Sequence, residues 1–193
     1  MRRSTRLAIV LGALILPGVA APAEPATRGW QFGLRLGYGA LELAADQTPS
    51  RRLDTFAMSF DAGCDVTRHL YLGATLGGWL IEAYDWQDPA AGESVSQLLA
   101  VARLRPWAAR GWFVQAGAGR AMYTNHHPFA FGGSGWGGAL GAGCVCAVAP
   151  RFAVVPQVNF GRGGFGDVAN PVLHASGRRF EVWEIAVAFV WGG

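Results

Sequence analysis

Large apolar residues alternate with small or polar ones through most of the chain, at the two-residue period that is typical of β-strands. In the first such segment, 30–39, one face carries Trp30, Phe32 and Tyr38, whereas the opposite face carries Arg35. Seven further segments show the same alternation, at 55–64, 70–84, 95–105, 112–124, 134–148, 152–160 and 180–191. The pattern therefore predicts an all-β protein with eight strands.

The face opposite the large side chains indicates which side of the sheet is buried. In a soluble sandwich or barrel, that face would carry a coat of Lys, Glu and Asp. Here it carries chiefly Gly, Ala, Gln and Ser, and in the whole chain only 15% of residues are charged while 51% are hydrophobic. This distribution favours an inverted arrangement, in which large side chains contact lipid and small or polar ones fill the interior. Because lipid offers no partners to a sheet edge, such a sheet must close into a barrel.

Three pairs of aromatic residues are each separated by eight positions and therefore share a face of their strand. The pairs are Trp30 and Tyr38, Phe152 and Phe160, and Trp183 and Trp191. At about 3.3 Å per residue and a tilt near 40°, this separation spans roughly 20 Å along the membrane normal, close to the apolar band of outer-membrane barrels. We interpret the pairs as two interfacial girdles, although aromatic residues also favour strands in general.

The predicted connections alternate between long and short along the chain. The long ones are 44–52, 85–94, 125–133 and 161–179, and the short ones are 67–69, 106–111 and 149–151. Since outer-membrane barrels have short periplasmic turns and longer outer loops, both termini are expected on the periplasmic side. A G-x-G-x-x-G match at 161–166 is assigned to the longest loop because no helix follows it. Pro156 lies inside a strand and predicts a bulge there.

The N-terminus has the layout of a secretory signal peptide. Three arginines in the first six positions precede an apolar stretch at 7–16, and an A-x-A cleavage site ends at Ala23. We predict a signal peptide at 1–23 and a barrel domain at 24–193. A retained membrane helix would need about 20 apolar residues, more than this stretch supplies.

Net charge gives no reason to expect a nucleic-acid partner. All 16 basic residues are arginines, and they face 13 acidic residues. Because three of the arginines lie in the predicted signal peptide, the rest of the chain has a formal charge near zero. It contains no Arg-rich stripe with interleaved aromatic residues.

Four segments combine aromatic residues with small ones in a recurring way: Asp-Val-Thr-Arg-His-Leu-Tyr-Leu-Gly at 65–73, Gly-Trp-Phe-Val-Gln-Ala-Gly-Ala-Gly at 111–119, Gly-Trp-Gly-Gly-Ala-Leu-Gly-Ala-Gly at 135–143 and Val-Trp-Glu-Ile-Ala-Val-Ala-Phe at 182–189. In these segments the chain resembles the small eight-stranded outer-membrane β-barrel family of Gram-negative bacteria. The resemblance implies a closed antiparallel up-and-down transmembrane β-barrel in the outer membrane. It also implies outer-membrane lipid, lipopolysaccharide and the barrel-insertion machinery as partners of a monomer.

Charged side chains that face a narrow interior need partners. Arg35, Asp61 and Glu184 are predicted at similar depths on the first, second and last strands, which are neighbours in a closed barrel. We therefore predict an ion-pair cluster of these three residues, with Arg103 in the same polar interior. Three amides are expected to extend it, Gln115, Gln157 and Asn159. The cluster is interpreted as a structural plug, with a gate for a narrow ion-conducting channel as the alternative.

The cysteines are expected to fill space rather than to form a bridge. Cys64, Cys144 and Cys146 all fall on predicted lipid-facing positions. Cys144 and Cys146 are two positions apart, about 6.6 Å with parallel Cβ directions, which suits a disulfide poorly. Cys64 lies across the predicted barrel.

No catalytic, cofactor or metal site is predicted. The enzymatic alternative is a lipid A-modifying hydrolase with Ser176 as nucleophile, His174 as base and Glu181 as orienting carboxylate. In this H-x-S pair followed by a Glu, the chain is similar to the outer-membrane lipid A deacylases, which implies the same roles for these residues.

The sequence thus predicts an integral outer-membrane barrel with a plugged polar interior, whose surface loops serve envelope structure or surface contact. In the longest loop, Arg162, Arg178 and Arg179 are expected to contact lipopolysaccharide phosphates. Phe165 is expected at the membrane boundary. A soluble periplasmic barrel is the structural alternative.

Overall fold

The computed structural model describes residues 29–46, 48–81, 93–107, 111–125, 131–169 and 174–192. The predicted signal peptide lies outside these residues. The described strands are β1 (Trp30–Ala45), β2 (Thr48–Thr67), β3 (Leu70–Leu80), β4 (Glu93–Trp107), β5 (Trp112–Asn125), β6 (Phe131–Cys144), β7 (Cys146–Ala149), β8 (Phe152–Ala169) and β9 (His174–Gly192). Within these ranges no helix is long and apolar enough to cross a bilayer.

The strands close into a barrel with eight positions. Consecutive strands pair antiparallel from β1 to β6, β9 pairs with both β1 and β8, and β6 also pairs with β8. Paired residues followed once around the barrel from Ala62 on β2 lead back to Arg52 on the same strand, a stagger of ten residues. The interior of an eight-stranded barrel is just wide enough to be filled by side chains or to hold one small ligand. The predicted closed eight-stranded antiparallel barrel is confirmed.

β6 and β7 are two segments of one strand, interrupted at Val145. The pairs Gly143–Gln157 and Cys146–Val154 keep one register across the interruption, so no residue is inserted. Pro156 lies opposite Cys144, the last residue of β6, and has no N–H to donate to the ladder. The bulge that we predicted at Pro156 is therefore wrong, because the strand accommodates the proline through a local loss of pairing.

The large alternating side chains point out of the barrel. Trp30 is 64% exposed and Phe60 is 55% exposed, whereas Ser59, next to Phe60, is buried. The other exposed large residues include Phe32, Tyr38, Phe56, Met58, Leu72, Leu76, Leu80, Leu98, Trp136, Leu140, Trp183 and Trp191. An apolar surface of this extent around a closed barrel is built for contact with acyl chains.

Two of the predicted long connections are largely strand. β1 and β2 continue to Ala45 and from Thr48, so little of the connection predicted at 44–52 exists, and most of 161–179 belongs to β8 and β9. The Gly-rich segment is therefore not a loop. We call the end of the barrel that holds these two hairpins the distal end, and the end near Trp30 and Gly192 the proximal end.

The barrel interior is layered along its length. An apolar cluster fills the distal half, with Leu41, Trp79, Tyr123, Phe165 and Phe180 as its largest members. Polar and charged side chains occupy the middle. A smaller apolar cluster built on Phe113, Val155 and Ala188 lies towards the proximal end. The interior therefore contains aromatic layers that the alternation pattern did not predict.

Candidate functional site

The middle of the barrel brings together Arg35, Asp61 and Glu184, the three residues predicted to form an ion-pair cluster. The Arg35 guanidinium lies 3.9 Å from the nearest carboxylate oxygen of each acidic residue, and all three side chains are at most 11% exposed. Arg35 Nε also donates a hydrogen bond to Ser59 Oγ at 2.6 Å. At 3.9 Å the two ion pairs are longer than hydrogen bonds, so charge attraction rather than direct donation joins them.

Glu184 is the most connected carboxylate of this cluster. Its Oε2 accepts a hydrogen bond from Trp79 Nε1 at 3.0 Å, and its Oε1 accepts one from Asn159 Nδ2 at 3.0 Å. Thr75 donates to Asp61 in a similar way. A buried carboxylate with two neutral donors and a cation nearby has the partners that burial demands. Trp79 was not predicted as a partner of this carboxylate.

Arg103 lies in the same interior but is held mainly by neutral groups. Its guanidinium donates to Gln115 Oε1, with nitrogen–oxygen distances of 3.2 and 3.3 Å. It also lies over the rings of Tyr71 and Phe113, 4.8 and 4.5 Å from their centroids, which is cation–π geometry. Gln115 Nε2 in turn donates to Asn159 Oδ1 at 3.0 Å. The amide network thus connects Arg103 to the cluster around Glu184.

A second buried ion pair closes the proximal end. Arg105 Nη1 lies 2.9 Å from Asp65 Oδ1, and both side chains are 6% exposed. Gln31 Nε2 donates to the other carboxylate oxygen of Asp65 at 2.5 Å. Sequence analysis did not single out this pair. The signal was present, since both residues fall on the inward phase of their strands.

The distal half of the interior contains closely packed aromatic rings, which we call the aromatic seal. Phe165 packs between Phe180 and Tyr123, with ring centroids 5.1 and 5.5 Å away, and Phe180 packs against Trp79 at 5.9 Å. Phe165 is 1% exposed. The expected position of Phe165 at the membrane boundary is therefore wrong, because β8 continues through this residue and turns its ring inward.

A small cavity remains between the aromatic seal and the amide network. Its volume is about 30 Å³, and its polar lining includes Arg35, Gln97, Gln115, Asn159 and Glu184. A space of this size holds one or two water-sized groups. It is too small for an organic substrate or cofactor.

The distal rim carries exposed arginines just beyond the aromatic pair Phe160 and Trp183, whose ring centroids are 4.8 Å apart. Arg162 is exposed and its Nε lies 3.3 Å from Glu181 Oε1, in a pair that is itself largely solvent-accessible. Arg179 is also exposed. Arg178, which was grouped with them, instead lies over the Tyr123 ring at 4.8 Å and is half-buried.

The residues of the hydrolase alternative are spread along one strand. His174, Ser176 and Glu181 all belong to β9. At about 3.3 Å per residue, the backbones of His174 and Glu181 are roughly 20 Å apart, far beyond hydrogen-bond reach within one strand. Glu181 pairs with Arg162. A triad of these three residues within one chain therefore has no support from the backbone geometry.

No metal centre is formed by the described residues. Nowhere in this part of the chain do three or more His, Cys, Asp or Glu side chains lie close enough to hold an ion.

Comparison with solved structures places this geometry among outer-membrane proteins. Neisserial surface protein A matches with a TM-score of 0.56 and 11% identity, over 84% of this chain and 97% of that chain. The outer membrane protein AlkL, solved in lipid bilayers, matches with a TM-score of 0.53 and 12% identity, over 91% and 96%. The sequence matches no family model and no curated protein. At such identities the similarity concerns the fold, and it confirms the predicted resemblance to small outer-membrane barrels. This fold and the apolar outer surface together identify the chain as an outer-membrane β-barrel.

Proposed function

We propose that the barrel is a sealed, non-conducting scaffold without enzymatic activity, which holds its distal surface at the cell exterior for envelope structure or surface contact. The observation that carries this proposal is the aromatic seal of Phe165, Phe180 and Tyr123 above the charged middle layer. A continuous ion path needs water along the whole interior. The apolar packing of the distal half and the small size of the cavity, both formed by described residues, support the absence of such a path.

The proposal is tested by conductance across planar lipid bilayers. The purified barrel is refolded in detergent and added to the membrane in about 1 M KCl, a salt concentration that maximises any ionic current. We expect no discrete current steps above the noise. A known porin serves as the positive control. Discrete steps from the parent protein would favour the narrow channel instead. In that case Glu184→Gln decides whether the path runs through the interior, because a path past this carboxylate loses cation preference when its charge is removed.

The distal rim supplies the surface through which the barrel contacts lipopolysaccharide. Four outward-facing residues form one paired row across β2, β1, β9 and β8, namely Arg52, Glu42, Glu181 and Arg162. The row lies immediately beyond the Phe160–Trp183 pair, at the height where headgroups begin if the aromatic residues mark the interface. Arginine binds phosphate through two parallel donors, so Arg162 and the exposed Arg179 are suited to lipid phosphates.

Binding to lipopolysaccharide is measured with the refolded barrel in detergent, by co-sedimentation with lipopolysaccharide aggregates. The double variant Arg162→Ala and Arg179→Ala is expected to bind several-fold more weakly, with a reduced dependence on salt. The double variant Arg68→Ala and Arg151→Ala is the matched control, since both are exposed arginines at the opposite end of the barrel and the change of charge is the same. Equal losses of binding in the control and in the distal double variant would mean that net charge determines binding. This result would contradict the proposed role of the distal rim.

A further inference from the structure

The interruption between β6 and β7 leaves one residue outside the sheet with a cysteine on each side. Cys144 ends β6 and Cys146 begins β7. The N–H of Val145 donates to the carbonyl oxygen of Gly111 at 2.9 Å, so this residue is bound to the neighbouring turn rather than to β8. The backbone between the two cysteines is therefore not fixed by ladder hydrogen bonds to β8.

The two thiols are neighbours on one face of the strand. Cys144 and Cys146 are two positions apart, both are half-buried, and neither is part of a disulfide in the structure. In a regular strand their Cβ atoms would be about 6.6 Å apart, whereas a disulfide needs about 3.8 Å. The remaining approach requires a pucker of the backbone at Val145. Pairing with β8 is lost at Cys144, which lies opposite Pro156, and at Val145, so the pucker breaks no ladder bond to β8 and has to strain only the hydrogen bond from Val145 to Gly111.

The third cysteine provides an internal reference. Cys64 pairs with Trp30 on the opposite wall of the barrel, four strands away from Cys144 in either direction. Cys144 itself pairs with Trp112 at the proximal end. Under the function proposed above, the proximal end faces the periplasm, which is an oxidising compartment. The inference rests on the proposed function only in this respect.

We propose that Cys144 and Cys146 are a redox pair that closes into a labile intrachain disulfide. One thiolate attacks a sulfur of a disulfide oxidant, which forms a mixed disulfide and releases the first thiol of the oxidant. The second thiolate then attacks the cysteine sulfur of the mixed disulfide and releases the second thiol. The pair loses two protons and two electrons, and the oxidant is reduced to two thiols. Because closure strains the strand, the bond is reduced more easily than a structural disulfide.

The test counts thiols in the refolded barrel. The protein is incubated with oxidised or reduced glutathione, quenched with acid, denatured and labelled with a maleimide polymer that shifts its mobility on gels. One adduct is expected after oxidation, at Cys64, and three after reduction. Cys64→Ser is expected to give no adduct after oxidation and two adducts after reduction. Cys146→Ser cannot form the intrachain bridge and is the control for closure.

Three adducts from the oxidised parent protein would overturn the proposal. So would a covalent dimer on a non-reducing gel, or a mass that shows glutathione retained on the protein instead of the loss of two hydrogens. Since the measurement uses purified protein, its failure leaves the sealed scaffold untouched. Conversely, conductance by the parent barrel would overturn the proposed function without changing the thiol count.

Discussion

Replacing Glu184 by alanine tests the charged middle layer most severely. The carboxylate is 5% exposed and accepts hydrogen bonds from Trp79 and Asn159, while Arg35 lies 3.9 Å away. The substitution leaves two buried donors without their acceptor. It also leaves the Arg35 guanidinium with Asp61 as its remaining carboxylate neighbour in the cluster.

The expected loss follows from these partners. A buried donor left unsatisfied costs about 1–3 kcal/mol, and a buried ion pair broken on one side costs about 3–5 kcal/mol in total. We therefore expect Glu184→Ala to lower the free energy of unfolding by about 4 kcal/mol. Glu184→Gln keeps a carbonyl oxygen and the side-chain volume but loses the charge. Its expected loss is about half as large.

The assay is urea unfolding of the refolded barrel in lipid vesicles, followed by tryptophan fluorescence and by the gel mobility of unheated samples. With a slope of about 2 kcal/mol per molar urea, a loss of about 4 kcal/mol lowers the midpoint by roughly 2 M. Glu181→Ala is the matched control, because its ion pair with Arg162 is largely solvent-exposed and worth at most about 1 kcal/mol. Equal midpoints for Glu184→Ala and Glu181→Ala would refute the reasoning.

Three further substitutions probe other layers in the same urea assay. Phe165→Ala removes a buried ring that packs between two aromatic neighbours, and we expect it to lower the free energy of unfolding by about 3–5 kcal/mol; a loss below about 1 kcal/mol would mean that the aromatic seal is not closely packed. Asp65→Ala leaves Arg105 buried without its carboxylate, and we expect it to lower the free energy of unfolding by about 3–5 kcal/mol. Asp65→Asn should lower it by less. Gly39→Ala should reduce the yield of folded barrel, since its Cβ would lie 2.0 Å from a carbonyl oxygen of β9, whereas Gly33→Ala on the same strand meets only ordinary contacts at 3.5 Å and should fold normally.

The number of strands and the facing of their residues could be predicted from the sequence because the face of a strand that contacts lipid requires large apolar side chains. Every second residue of the stretch Phe56, Met58 and Phe60 is large and exposed, and the residues between them point inward. The same rule placed Arg35 and Glu184 inside, at one depth on neighbouring strands. Side-chain period and strand order were sufficient for these predictions.

The apolar packing of the distal half was not predicted because the pattern of large residues along the strands changes beyond the membrane. On β1 the large residues occupy even positions up to Tyr38, but Leu41 and Leu43 occupy odd ones. Leu41 is buried and Leu43 packs against the distal cluster. Where water replaces lipid outside, large apolar side chains are buried in the barrel interior instead. This change of phase was present in the sequence and marks where the apolar outer band ends.

The Gly-rich segment of β8 was predicted to be a loop because no helix follows it. In the barrel one of its glycines, Gly163, makes room for an aromatic ring instead. A Cβ on Gly163 would lie 2.6 Å from Cε1 of Phe180, so only glycine at this position leaves the Phe180 ring in place. The ring that requires this glycine lies on β9, so the sequence of β8 alone does not reveal why a glycine is needed here.

The central claim, that bulky apolar side chains face lipid while the alternate positions face a packed interior, is tested most directly by spin labels along β2. Six single-cysteine variants at 56–61, in a background without native cysteines, are labelled and refolded into phospholipid bilayers. Labels at Phe56, Met58 and Phe60 are expected to be mobile and accessible to oxygen dissolved in the lipid, and those at the three intervening positions immobile and inaccessible. Uniform accessibility, or the opposite phase with the labels at 57, 59 and 61 exposed to lipid, would contradict the account.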